Sequence, residues 1–154
     1  MELYREYLQS FTGTLEVVAN HRELLEINLI AKPSKSRPNH ITHIGLKWLQ
    51  SYFIAKPEPL FLPLKPASTP FLEDVRRAVM QIPFGECRSY KEIAISINRP
   101  RAYRAVAMAM KRNPYMIYVP CHRVVGSSGI GGYTPGIEIK RKLLEFERCE
   151  SISL

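Results

Sequence analysis

SYKEIAISINRPRAYRAVAMAMKR, Ser89 to Arg112, is the stretch on which the fold turns. Ser89-Tyr90-Lys91-Glu92 has the S-x-x-E form of a capping box, in which each end residue satisfies the other's free backbone N–H and opens a helix. Asn98-Arg99-Pro100 closes that helix and starts a second. In the second, Ala102, Ala105, Ala107 and Ala109 are small, while Arg101, Arg104, Lys111 and Arg112 carry charge. Two short helices with a tight turn, the second small and basic, suggest a helix-turn-helix whose backbone can approach DNA closely. An Ala-rich helix also packs well inside a protein, and these residues alone leave both readings open.

Working outward, Thr69-Pro70 is a cap followed by proline in the first turn, with Glu73 and Asp74 placed to complement the helix dipole, and this helix should run to about Gln81. Ile82-Pro83-Phe84-Gly85 then breaks it. From Gly136 a further helix presents Ile139, Leu143, Leu144 and Phe146 on one apolar face, with Glu147 inside the same arc. Residues 1 to 31 alternate as strands do, with Leu15 and Val17, then Leu25, Ile27 and Leu29, on one face. Turn signals lie at Ser10 to Gly13 and Ala19 to Arg22. Ile41, Ile44, Gly45, Trp48, Leu49 and Tyr52 fall at helical spacing, which makes Trp48 a core residue. Pro57, Pro59, Pro63, Pro66 and Pro70 are too dense for regular structure and suit a stiff linker. The expected class is α+β. An N-terminal support domain, 1–67, combines a small antiparallel sheet with a helix and ends in the Pro-rich linker. A mostly helical, winged-helix-like C-terminal domain with the helix-turn-helix occupies 68–154.

Pro120-Cys121-His122-Arg123-Val124-Val125 carries the chemistry-bearing residues. A thiol becomes a nucleophile as its thiolate, and a neighbouring base or positive charge raises that population. From an unperturbed pKa of about 8.5, full ionisation gains at most ~30-fold, roughly 2 kcal/mol of barrier. Larger accelerations must come from positioning the electrophile and stabilising its leaving group. Neighbours in an extended chain point to opposite sides, so Cys121 and His122 need a turn or a bridging water to cooperate. Glu147, a carboxylate aimed at a core, needs a partner and could orient the imidazole. A Cys-His pair by itself is more often a buried thiol beside a satisfied histidine. Cys87, Cys121 and Cys149 form no Cys-x-x-Cys, and His21, His40 and His43 lack companions at ligand spacing, so no metal site is expected.

The chain has 154 residues, 45% hydrophobic, with 22 Lys and Arg against 14 Asp and Glu and a net charge of +8. This excludes a disordered chain and favours a polyanionic partner. The beginning of the chain shows neither a signal-peptide pattern nor a run long enough to cross a bilayer, and an odd number of cysteines without framework spacing agrees with free thiols. A cytoplasmic, nucleoid-associated, monomeric protein without a membrane partner is expected. A Cys87–Cys149 bridge remains open.

Together, Ile82-Pro83-Phe84-Gly85, Ser89 to Ala94, the basic Ala-rich helix, Asn113-Pro114, Pro120 to Val125, Ser128-Gly129 and Leu143-Leu144-x-x-Glu147 resemble the O6-alkylguanine-DNA alkyltransferase family. The resemblance is strongest from Ile82 to Glu147. It implies DNA repair by a single-turnover transfer of an alkyl group from O6-alkylguanine in double-stranded DNA to the protein's own Cys121, with the base flipped through the minor groove. By the same resemblance His122 acts as base through a water and is polarised by Glu147, Asn113 ties the active-site turn together, and Tyr90 donates toward the flipped base. Arg104 enters the base stack. Arg101, Ala102, Ala105, Lys111, Arg112 and Arg123 join it in contacting DNA. Met110, Val124, Tyr133 and Thr134 surround the base. No cofactor is implied, and the cysteines some relatives use for zinc are lacking. Phe84 and Thr134 stand where tryptophan and serine are more frequent.

Overall fold

The computed structural model describes residues 2–149. They divide into two compact units, one running to Pro66 and including Pro114–Tyr118, the other formed by Ala67–Asn113 and continuing from Val119.

The first unit is built on strands β1 (Tyr4–Ser10), β2 (Gly13–Ala19) and β3 (Leu24–Ile30), antiparallel in that order. The central strand β2 buries Leu15, Val17, Val18 and Ala19. Alternation fails at its end because the register shifts between Val18 and Ala19, and a bulge of this kind re-aims the residues beside it. The expected face of Leu25, Ile27 and Leu29 changes accordingly: Leu24 and Ile27 are fully buried and Leu25 only in part. Helix α1 (His40–Phe53) starts from a complete capping box between Asn39 and Thr42 and buries Ile41, Gly45, Trp48, Leu49 and Tyr52. Gly45 permits a close approach to the sheet, since a Cβ there would lie 3.0 Å from Val17 Cγ1. Trp48 is a core residue, with its ring stacked on Tyr52 and edge-on to Tyr118. His21, His40 and His43 are exposed.

The Pro-rich stretch is not a free linker. Leu64 bridges Leu24 at the β3 edge, Leu24 N–H donates to Pro63 O at 2.7 Å, and Leu62 is buried. Tyr115 joins the same edge: Ile27 N–H donates to Pro114 O, Met116 N–H donates to Ile27 O, and the Tyr115 hydroxyl donates to Leu24 O at 2.8 Å while accepting from Lys65 N–H at 3.0 Å. Arg37 bridges Arg5 on the opposite edge. Both edges are therefore paired at points, which blunts their tendency to template aggregation. Density of proline suggested stiffness, but it could not show that the backbone atoms left over by β3 would recruit this segment.

In the second unit, α2 (Pro70–Met80) begins at the Thr69 cap as its sequence dictates, and the Glu73 carboxylate accepts from Ala67 N–H at 2.8 Å. The two-stranded parallel pair β4 (Arg88–Ser89) and β5 (Val124–Val125) brackets α3 (Tyr90–Ser96) and α4 (Tyr103–Lys111), with a 3-10 turn at Cys121–Arg123 leading into β5 and α5 (Ile137–Phe146) closing the unit. The Ser89/Glu92 capping box forms. Asn98, at φ 61°, ends α3: its N–H donates to Ile95 O and that of Arg99 to Ala94 O. This is the paired-bond C-cap that asparagine tolerates. Helices α2, α3 and α4 pack on one another, so α3 and α4 form a helix pair with a short turn. No described helix is long and apolar enough to cross a membrane.

Tyr115→Phe should cost about 0.5–1.5 kcal/mol, because it removes the hydroxyl's bonds to Lys65 N–H and Leu24 O, while those two groups keep their own bond to each other at 3.1 Å. Urea unfolding would show this as a lower midpoint, and an unchanged midpoint would mean that the hydroxyl does not hold this edge.

Candidate active site

The site grows from the 3-10 turn. Cys121 N–H donates to Val119 O at 2.7 Å and Arg123 N–H to Pro120 O at 2.9 Å, so the chain turns where an extended segment would have sent Cys121 and His122 apart. Asn113 closes the approach to this turn. Its Nδ2 donates to Val119 O at 2.9 Å and to Cys121 Sγ at 3.1 Å. Cys121 is buried and is the free thiol among the described residues. Burial pushes its pKa up, and the Asn113 amide and the charge of Lys140 oppose that rise.

Glu147 reaches the turn from the end of α5. Its Oε2 meets His122 Nε2 at 2.6 Å, its Oε1 accepts from Arg123 Nε at 2.7 Å, and Arg123 Nη2 donates to Oε2 at 3.2 Å. Gly85 N–H adds a donor to Oε1 at 3.2 Å. Burial alone would raise the carboxyl's pKa, but the hydrogen bonds and charges of His122 and Arg123 bring it down to about 2. His122 is fully buried, which lowers its pKa against the pull of Glu147. The ring is neutral at pH 7 and the carboxylate ionised. Their short bond then places the ring proton on Nε2, leaving Nδ1 as the basic nitrogen.

Tyr90 opens α3 half-buried, and its pKa is raised by burial and held back by a hydrogen bond from the Gly132 backbone. A Cβ at Gly131 would sit 2.6 Å from the Tyr90 hydroxyl, and Gly131 has φ +78°, so glycine is required there for both reasons. The Tyr133 hydroxyl is buried without a hydrogen-bond partner among the described residues. Its pKa is raised well above normal by burial and by Cys121 and Glu147. Val124 is buried, Met110 partly buried and Thr134 exposed, with the Thr134 hydroxyl donating to Lys111 O. Arg101, Arg104, Ala105, Lys111 and Arg112 are exposed and Ala102 partly so, while Val106 and Ala109 turn α4's other face inward.

Two expectations change. Arg123 is not a surface cation available to DNA: it is buried, its Nη1 donates to Ile82 O at 2.8 Å, and its guanidinium lies over the Phe84 ring. It is spent on Glu147, because two buried charges must satisfy each other. The buried stripe of α5 is Lys140, Leu143, Leu144 and Glu147, with Ile139 and Phe146 only partly covered. Lys140 went unnoticed in the sequence. Its Nζ donates to Val124 O at 2.7 Å and Gly132 O at 3.1 Å, and burial lowers its pKa to about 8. The signal was present in its spacing of three, four and seven residues before Leu143, Leu144 and Glu147, but a lysine on such a face is ordinarily assigned to solvent. The sulfurs of Cys87 and Cys149 are bonded, the pairing that the sequence left open. No group of three or more potential metal ligands is gathered among the described residues.

Residues 70–149 match the family described as 6-O-methylguanine DNA methyltransferase, DNA binding domain. The chain is 52% identical over 100 residues to the methylated-DNA–protein-cysteine methyltransferase of Methanosarcina barkeri, covering 64% of this chain and 63% of the relative. It thus spans less than two thirds of that relative's length. A probable methylated-DNA–protein-cysteine methyltransferase of Acanthamoeba polyphaga mimivirus is 37% identical over 145 residues, covering 93% of this chain and 95% of the relative. Among solved structures, the Mycobacterium tuberculosis O6-methylguanine methyltransferase superposes with a TM-score of 0.82 at 32% identity, covering 99% of this chain and 97% of that one. The Mycobacterium tuberculosis OGT in complex with DNA gives a TM-score of 0.81 at 36% identity, with coverage of 94% and 92%.

Glu147→Gln should destabilise the fold by about 3–5 kcal/mol, because it leaves the Arg123 charge buried and unpaired. The carboxyl's folded pKa of about 2 lies below the ordinary 4.5, so its stabilising contribution is complete above about pH 4.5 and disappears as pH falls toward 2. Melting curves across that range should fall more steeply for the parent protein than for the variant, and parallel curves would show that Glu147 is not the titrating anchor.

Proposed function

Because the chain belongs to the 6-O-methylguanine DNA methyltransferase family, we propose that it repairs DNA by moving the alkyl group of O6-alkylguanine onto its own Cys121. The observation that carries this reading is a single thiol, bonded by Asn113 and followed in the same turn by an imidazole that a buried carboxylate orients.

The thiolate sulfur attacks the alkyl carbon in line; the S–C bond forms as the C–O6 bond breaks and the electron pair leaves with guanine. The proton of Cys121 passes through a water to Nδ1 of His122, and the imidazolium so formed is stabilised by Glu147. Burial makes the free thiolate scarce, so this proton transfer matters, and Asn113 Nδ2 together with the Lys140 charge favours the ionised sulfur. Tyr90, whose raised pKa keeps its proton at pH 7, gives a proton to the base so that guanine departs neutral, and the proton that His122 took from Cys121 returns through water to the Tyr90 oxygen. The thioether has no hydrolytic route in this arrangement, so each molecule acts once.

Double-stranded DNA is the partner. The exposed Arg101, Arg104, Ala105, Lys111 and Arg112 of the α3–α4 unit, with Ala102, form a basic face with little side-chain bulk. Placed along the minor groove, it lets Arg104 enter the stack as the damaged base is extruded into a pocket walled by Met110, Val124, Tyr133 and Thr134. The relative solved with DNA supports this assignment of partner.

Incubation with duplex DNA carrying one O6-methylguanine should add one methylene to the intact mass, stoichiometrically and on the Cys121 peptide, and Cys121→Ala should gain nothing. Unchanged mass for the folded parent protein would overturn the proposal. Gly131→Ala pushes a methyl against the Tyr90 hydroxyl and should slow single-turnover transfer by about tenfold or more, while Tyr90→Phe should already have lost this sensitivity. Equal rates for Gly131→Ala and the parent would remove Tyr90 from the mechanism.

A further inference from the structure

Glu147 and Gly85 are joined by a hydrogen bond, and each is followed two residues later by a cysteine. Cys87 and Cys149 are bonded across a sequence separation of 62. The bond therefore doubles, covalently, the contact that seats the carboxylate. We propose that Cys87 and Cys149 form a reversible thiol–disulfide site, oxidised by a low-molecular-weight disulfide such as glutathione disulfide, whose closure locks Glu147 against His122.

The end of α5 sets Cys149 in place independently of the bond. Arg148 adopts φ 56°, its N–H donates to Glu145 O, and Cys149 N–H donates to Leu144 O at 3.0 Å. In this C-cap the residue after the left-handed one packs on the side chain five positions earlier. Cys149 does so, in a cluster with Leu144 and Val125 against which Cys87 and Ile130 also pack. The second thiol is thus held for its partner at little further cost in chain entropy.

The two sulfurs are not equivalent. Cys149 is 3% exposed, whereas Cys87 is half-buried beside Arg88, whose Nη1 donates to the Cys87 carbonyl. Greater accessibility makes Cys87 the attacking thiol, while Arg88 is ion-paired with Glu86 at 3.0 Å. Its thiolate displaces one glutathione from the oxidant and forms a mixed disulfide; the Cys149 thiolate then attacks the Cys87 sulfur and displaces the second glutathione. The two thiol protons end on the two glutathiones released, and the oxidant is reduced by the two electrons the protein loses. Cys121 has no thiol partner in this exchange and stays available for its own reaction.

The full chain, equilibrated in buffers of graded reduced and oxidised glutathione, quenched with iodoacetamide and mapped by mass spectrometry, tests the site. A single two-electron transition is expected, with the oxidised protein lighter by two hydrogen atoms and the Cys87 and Cys149 peptides linked. Oxidation should raise Tm by on the order of 10 °C in the parent protein and leave Cys87→Ser and Cys149→Ser unmoved. The effect on rate rests on the alkyl-transfer reading: oxidised parent protein should transfer several-fold faster than reduced, and its acid limb should lie at higher pH because a better-held Glu147 raises the pKa of His122. Two alkylated thiols at every ratio, a persistent glutathione adduct without the bond, or a bond that changes neither Tm nor rate would overturn the proposal. Bond and Tm are read without DNA, so absence of transfer in both redox states would strike the alkyl-transfer reading alone.

Discussion

The carboxylate of Glu147 is the constraint on which the second unit depends. It is buried, yet ionised to about pH 2 because a histidine, an arginine and a backbone amide converge on its two oxygens. Those donors come from two separate parts of the chain, the loop after α2 and the turn carrying Cys121, and meet an acceptor from a third, the end of α5. A buried charge of this kind is costly unless every partner is present. Assembly of the partners is therefore nearly all-or-none, and the same bonds that hold the fold give His122 its tautomer.

Around this anchor the site balances opposing demands. A buried thiol is shielded from casual oxidation but is harder to ionise; Asn113 and Lys140 return part of the lost acidity without admitting solvent. Lys140 also occupies the carbonyls of Val124 and Gly132, pinning two strands of backbone that border Cys121 and Tyr90. Tyr90 can sit where it does because Gly131 lacks a side chain. The first unit carries a strained residue of its own: Ile117, β-branched and buried, has φ 73°. Such a conformation persists only where its surroundings over-determine it, and here Met116 N–H and Pro114 O are both committed to Ile27.

Much of the molecule was legible because its signals are local. Capping boxes at Ser89 and the Thr69-Pro70 start specify their helices through bonds three residues apart, and the alternating apolar residues of the first three strands need only a neighbour to bury them. Cys121, His122 and Glu147 stand out because thiol, imidazole and core-facing carboxylate are chemically rare in such places. The misassignments have one cause. Arg123 looks like a surface cation and the Pro-rich stretch looks like a linker, and Lys140 draws no notice, as long as their partners are unseen.

By itself, then, the sequence determined the main helices and the three-stranded sheet, the helix-turn-helix pattern, the family and the candidate residues Cys121, His122 and Glu147, since each follows from residues close together or from a motif order that chance does not reproduce. Tertiary structure alone decided that Arg123 belongs to Glu147, that Lys140 faces the backbone around Cys121, that Cys87 meets Cys149, and that Leu24, Pro63 and Tyr115 share an edge. These contacts join residues 8 to 91 positions apart. Whether a polar group is buried with a partner or left to water depends on what the rest of the chain brings to it, and no window of sequence contains that information.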